Sequence, residues 1–132
     1  MTKRMLCLTL MVLALAACTA EPKPGAQFTG DIDLGGKTSR ATITFTISDD
    51  GKTITSVGID LSDVKCNGSS AGRMSSWAGG QFSIANGAFT ASPSSIGEVQ
   101  GRFTSPTQAS GTIHLKLNIC DLGTQNWNAT AP

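Results

Sequence analysis

The sequence predicts an all-β fold, an antiparallel β-sandwich or jelly roll of about eight or nine short strands. Three observations predict it. Apolar and polar residues alternate with a period of two, glycine-bearing turn pairs separate the alternating runs, and no stretch of useful length shows a helical period. In RATITFTIS (40–48), Ala41, Ile43, Phe45 and Ile47 share one face and Thr42, Thr44 and Thr46 the other. In GTIHLKLNIC (111–120), Ile113, Leu115, Leu117 and Ile119 form the inward set, while His114, Lys116 and Asn118 point outward. Such alternation, rich in β-branched residues, suits strands with one face on a core and one in water.

Taken in order, the predicted strands are 27–34, 39–48, 53–62, 72–78, 81–85, 88–92, 98–105, 110–120 and 124–130. DDGK at 49–52 links the second and third as a hairpin, and Asn86-Gly87 links FSI to AFT. Residues 66–80, rich in glycine and serine, read as the longest irregular stretch and a mobile loop. The β-domain is expected over 27–132, and no repeat of 20–50 residues is evident.

The N-terminus differs from everything after it. Lys3 and Arg4 give a positive start, Met5 to Ala14 are apolar, and small residues precede Cys18. That is the layout of a secretory signal peptide over 1–17, and its apolar part is shorter than the roughly 20 residues a spanning helix needs. Leu15-Ala16-Ala17-Cys18 resembles the lipobox of bacterial lipoproteins. The resemblance implies a diacylglyceryl group on the Cys18 thiol, cleavage before that residue, and a protein held in the cell envelope by lipid. The competing reading is a plain secreted protein whose cysteine falls there by chance. One acyl chain holds a protein only marginally, whereas two or three hold it durably. Thr19, rather than Asp, after the cysteine resembles the outer-membrane sorting pattern of envelopes with two membranes. Residues 18–26, with two prolines and a glycine, read as a short flexible tether.

Processing changes both the charge and the cysteine count. Loss of Lys3 and Arg4 leaves 8 basic residues against 9 acidic ones, a net charge of about −1 with no basic stripe for nucleic acid. Of the 4 cysteines, Cys7 leaves with the signal segment and Cys18 is the lipidation site, so Cys66 and Cys120 remain. Export allows disulfides to persist, and a Cys66–Cys120 bridge is expected. The alternatives are two buried free thiols or a bridge between copies. His114 with these cysteines makes a poor zinc set, because no closely spaced cysteine pair occurs.

FSIANGAF (82–89), then GRFTSPTQASGTIHL (101–115) and ICDLGTQNWNATA (119–131), look like a recurrent small secreted β-domain of bacteria. The likeness covers about residues 27–131 and rests on turn glycines and core aromatics. It therefore implies a fold, and an adhesive or accessory role without a shared catalytic signature.

Chemistry-bearing residues are sparse. His114 is the only histidine and tyrosine is absent. As a base, His114 would need a nucleophile and an orienting carboxylate that sequence cannot place. Asp31/Asp33, Asp49/Asp50 and Asp60/Asp63 are the carboxylate pairs a glycosidase would need across a cleft. Asp49 and Asp50 read instead as turn formers. DIDLGGKTSRAT starts like a calcium loop but has Thr42 where a bidentate Glu belongs. Arg73 and Trp77 are the candidate ligand contacts of the 66–80 loop. The competing reading, preferred for both tryptophans, packs Trp77 and Trp127 in the core. The expectation is a lipid-anchored, non-enzymatic binding or structural module for a protein or glycan ligand, without catalytic residues, metal or cofactor. A carbohydrate-active enzyme and a periplasmic inhibitor or assembly accessory are the alternatives.

Overall fold

A computed structural model describes residues 20–132 apart from 39, 67, 71, 118 and 119. The expected signal segment, Cys18, Asn118 and Ile119 lie outside the described residues. Among the described residues ten strands follow one another: β1 (Gln27–Ile32), β2 (Arg40–Ile47), β3 (Thr53–Ser62), β4 (Lys65–Cys66), β5 (Ser69–Ser70), β6 (Met74–Ala85), β7 (Ala88–Ala91), β8 (Val99–Ser105), β9 (Gln108–Leu117) and β10 (Cys120–Thr130). A 3-10 turn at Gly35–Lys37 separates β1 from β2.

The all-β, antiparallel expectation holds, but the sheet does not split into the two layers of a sandwich. Eight strands close into one barrel in the order β1-β10-β9-β8-β7-β6-β3-β2, and β4-β5 is a small ladder in the loop between β3 and β6. Apart from that insertion each strand pairs with its successor, and the last pairs with the first: Thr29 lies opposite Thr130 and Ile32 opposite Trp127. Local turns explain the outcome, because a chain that always turns back on itself builds an up-and-down ring. A jelly roll needs long crossovers. Period-two patterning is the same in both architectures, so the alternation cannot separate them.

The inward set fills the barrel. Phe28 and Phe45 stack at 5.0 Å, and Phe103, Phe89 and Trp127 meet them at 5.4–6.2 Å, mostly edge-on or tilted. Ile43, Ile54, Val57, Leu61, Ile113 and Leu115 complete the packing, all fully buried. An eight-stranded barrel is just wide enough for side chains to fill it. Gly101 makes the fit possible: a methyl group there would stand 2.4 Å from the Phe89 ring and 2.7 Å from Trp127. Trp127 satisfies its indole N–H on the Thr112 carbonyl at 3.1 Å.

The two expected hairpins form. Asn86 and Gly87 take positive φ values of 53° and 70°, as a two-residue hairpin turn requires. In the other, Asp50 accepts hydrogen bonds from Ser48 Oγ at 2.6 Å and from the Lys52 N–H at 3.0 Å.

The expected strands 72–78 and 81–85 are one strand, β6, so most of the presumed 66–80 loop is sheet. Serine and glycine mask the alternation there. Pairing with β3 nevertheless orders the segment, with Leu61 opposite Met74, Ile59 opposite Ser76 and Val57 opposite Ala78. Tertiary pairing outweighs weak local preference.

Residues 20–26, read as the tether, run against one end of the barrel. The Ala20 N–H donates to the Phe103 carbonyl at 2.9 Å, Lys23 to Pro106 at 2.8 Å, and Gly25 to Ser48 at 3.0 Å. Pro22 and Ala26 are buried there. At the opposite end, Cys66 and Cys120 are joined as a disulfide with Cα atoms 5.7 Å apart, tying the β3–β6 loop to the start of β10.

Candidate functional site on the outer wall

Since side chains fill the barrel interior, ligand chemistry has to be sought outside. Trp77 is the outstanding feature. It lies on β6 directly opposite Gly58 of β3 and is 60% exposed, the one large apolar side chain left in water among the described residues. The preferred reading of Trp77 as core is therefore wrong, and parity is the reason. Met74, Ser76 and Ala78 face inward, so Trp77 must face outward.

Gly58 is what seats the indole. A methyl group at Gly58 would fall 2.5 Å from Cδ2 and Cε3 of Trp77 and 2.6 Å from Cε2. These near-equal distances to three fused-ring atoms mean that the ring lies across the glycine backbone. Beyond Gly58 the same outward row continues through Thr44 of β2, Thr29 of β1 and Thr130 of β10. The platform is thus an aromatic face at the end of a hydroxyl-bearing row.

Arg73, the other expected ligand residue, stands just before β6 on the same wall. Its Nε donates to Asp60 Oδ1 at 3.1 Å and its Nη2 to Asp60 Oδ2 at 2.6 Å. These bonds hold the Asp60 carboxyl below its ordinary 3.8 and raise the guanidinium, with the charges of Arg73 and Arg40 lowering Asp60 further. Arg73 and Trp77 do share a wall, then, but the guanidinium is already committed to a carboxylate.

A second cluster lies on the β9–β10 wall. Nε2 of His114 lies 3.1 Å from Asp121 Oδ1, and its Nδ1 lies 3.4 Å from Thr124 Oγ1. The structure thus supplies both the carboxylate and the hydroxyl that sequence could not place. The hydroxyl is longer than the 2.6–3.2 Å reach expected of a base and its nucleophile, and both ring nitrogens are engaged. The Gly123 N–H, first, and His114, second, hold the Asp121 carboxyl below its ordinary value. Beside this cluster an open groove of about 410 Å³ is lined by Glu98, Gln100, Thr112, His114, Lys116 and Thr124, with Gly97.

Two other grooves lie outside the barrel, one of about 660 Å³ along Lys23–Gln27 and Thr130–Pro132, the other of about 400 Å³ across Phe89, Arg102 and Ser110. None of these three grooves is lined by two carboxylates. Asp33 accepts a hydrogen bond from the Gly35 N–H at 3.2 Å and shapes a turn. Among the described residues no three His, Cys, Asp or Glu side chains come together as a metal site.

Sequence reasoning missed Gly58, Asp121 and Thr124. Gly58 had left a trace, as the lone glycine inside the regular run TITSVGIDLS, where a glycine marks close approach of another group. Asp121 and Thr124 left none, because their place beside His114 depends on the register shift between Asp121 and Gly123. Comparison with known protein families and with curated proteins finds no match.

Proposed function

We propose that the protein is a lipid-anchored lipoprotein of the cell envelope, in the outer membrane where two membranes are present, and that its barrel is a non-enzymatic binding module. The observation that carries the binding half is Trp77, an indole seated on Gly58 with its remaining surface open beside a threonine row. Burying an aromatic ring of this kind against a partner gains about 1.5–3 kcal/mol, so leaving it in water is costly unless something covers it. Its ligand is a protein or glycan of the envelope, met on the wall rather than inside the barrel. Cys18 supplies the anchor.

Each half has its own test. Intact-mass spectrometry of protein purified from membranes should find Cys18 as the N-terminal residue, carrying acyl chains. An unmodified N-terminus elsewhere would overturn the anchor. For the binding half, purified barrel is sedimented with isolated peptidoglycan and, separately, with envelope proteins in detergent. Trp77→Ala should lose at least about ten-fold in retention, as expected when one anchor of about 1.4 kcal/mol or more is removed. Gly58→Ala should weaken it too, by lifting the indole from its seat. Undiminished retention of Trp77→Ala would remove Trp77 as a contact, and release of soluble sugars from the peptidoglycan would make the protein an enzyme.

A further inference from the structure

We infer that the barrel is held end-on at the membrane, with residues 20–26 and the turns around them against the lipid headgroups and the disulfide-bonded end presented outward. The inference rests on the proposed lipidation of Cys18 and adds to it an orientation that lipidation alone does not supply.

The argument begins with where the chain is first fixed. Ala20 is bonded to Phe103, Lys23 to Pro106, and Gly25 to Ser48. The Pro24 ring closes on the β2–β3 turn, 3.3 Å from where a methyl group on Gly51 would stand. A flexible tether of eight residues would let the domain wander by about 16 Å and tumble. Here only two residue steps separate Cys18 from a bonded Ala20, and two steps span at most about 7 Å. The root of the lipid therefore stays beside one end of the barrel.

Topology decides what else is at that end. In an up-and-down barrel alternate turns lie together, so the turns at 48–52, 86–87 and 106–107 share the end with Ala131, whose N–H reaches the Thr107 carbonyl at 2.9 Å. The 3-10 turn at Gly35–Lys37, the β3–β6 loop and the Cys66–Cys120 bridge are at the other. Strands of ten residues, such as β3 and β9, tilted by about 40°, separate the two ends by about 25 Å.

Charge does not set this arrangement. The anchored end carries Lys23 and Lys52 against Glu21, Asp49 and Asp50, which gives an anionic bilayer no net attraction. The orientation comes from the covalent anchor and the hydrogen-bonded segment, and so should be insensitive to salt.

The experiment places a fluorophore at either end of the acylated full protein. Asp49→Cys labels the exposed turn at the anchored end, and Gly36→Cys labels the far end, where a new side chain meets nothing within 4 Å. Cys66 and Cys120 are occupied by their disulfide, leaving the introduced thiol for the dye. The labelled proteins are reconstituted in vesicles of phosphatidylethanolamine and phosphatidylglycerol (about 3:1) with a headgroup-quenching lipid. Quenching should be several-fold stronger at position 49 than at 36, unchanged in 1 M NaCl, and less unequal after a six-residue Gly/Ser insertion between Thr19 and Ala20. Equal quenching in acylated protein that floats with the vesicles would overturn the orientation and leave the lipoprotein reading standing. Protein without acyl chains that fails to float would overturn the lipoprotein reading, and the orientation with it.

Discussion

The two tryptophans stand on the two least alike walls of the barrel. Trp127 belongs to β10, which is paired with β9 from Cys120 to Thr130 and with β1 on its other edge. Trp77 belongs to β6, which pairs with β3 from Met74 to Ser83 but with β7 only at Ile84 and Ala85. Both rings rest near a glycine, Gly101 for Trp127 and Gly58 for Trp77. One is 1% exposed and the other 60%. The same device, a glycine that makes room for an indole, completes the core on one wall and leaves a platform in water on the other. What separates them is strand parity, which decides the side of the sheet, and neighbouring strands, which decide how much is covered.

The comparison predicts unequal mutants. Trp127→Ala removes a buried ring from contact with Phe45 and Phe89, together with the hydrogen bond its indole N–H donates to the Thr112 carbonyl. It should cost about 3–5 kcal/mol, as large-to-small core changes do. Trp77→Ala should cost less than about 1 kcal/mol, since the indole is 60% exposed and little buried surface is lost with it. Urea unfolding of the two variants checks this directly. Equal losses would mean that the exposed indole is part of the stabilising core after all.

Next in size is the staple beside β10. Replacing both Cys66 and Cys120 by serine opens a link between positions 54 residues apart. The loss should be about 2–4 kcal/mol, or about 10–25 °C in Tm, with the all-β circular dichroism retained at low temperature. The effect should be felt at the start of β10 and in the β3–β6 loop, so hydrogen exchange near Leu122 should rise more than exchange at Ile84. Two reactive thiols in exported, non-reduced protein would show that the bridge does not form in the cell.

Much of this contrast was legible in the sequence, and the remainder failed for definite reasons. Regular alternation placed Ile43, Phe45, Ile113 and Leu115 inside, because a period of two leaves no choice of face once one residue is assigned. It also located the hairpins at 49–52 and 86–87. In SSWAGG the residues flanking Trp77 are too small to declare a face, so the pattern did not say on which side of the sheet the indole stands. The closure of β1 on β10 was not legible either. It joins residues about a hundred positions apart, Thr29 with Thr130, through a register that no local pattern encodes. Cys66 and Cys120 could be paired by elimination, on the expectation that the chain is exported, that Cys7 leaves with the signal segment and that Cys18 is lipidated.

The smallest expected effect is electrostatic and again sets the two walls apart. Beside Trp77, the Asp60 carboxyl lies below its ordinary value chiefly because Arg73 donates to it. On the β10 wall, Asp121 is lowered first by the Gly123 N–H and only then by His114. A carboxyl depressed in the folded state contributes stability at pH values above its unfolded value, and that contribution is lost as pH falls through the folded value. Both contributions should therefore be constant from neutral pH down to about 4 and decline only below it. Removing the side-chain partner should act unequally. Arg73→Gln should return Asp60 most of the way to its ordinary value, whereas His114→Gln should move Asp121 less, because the backbone donor remains. Carbon-detected NMR titration of the two carboxyls between about pH 2 and 6 reads both midpoints in one experiment. Both pairs are exposed, so the accompanying change in Tm should be slight and smaller still in high salt. An Asp60 midpoint that stays put in Arg73→Gln would show that the guanidinium is free in solution, and so available to a ligand beside Trp77.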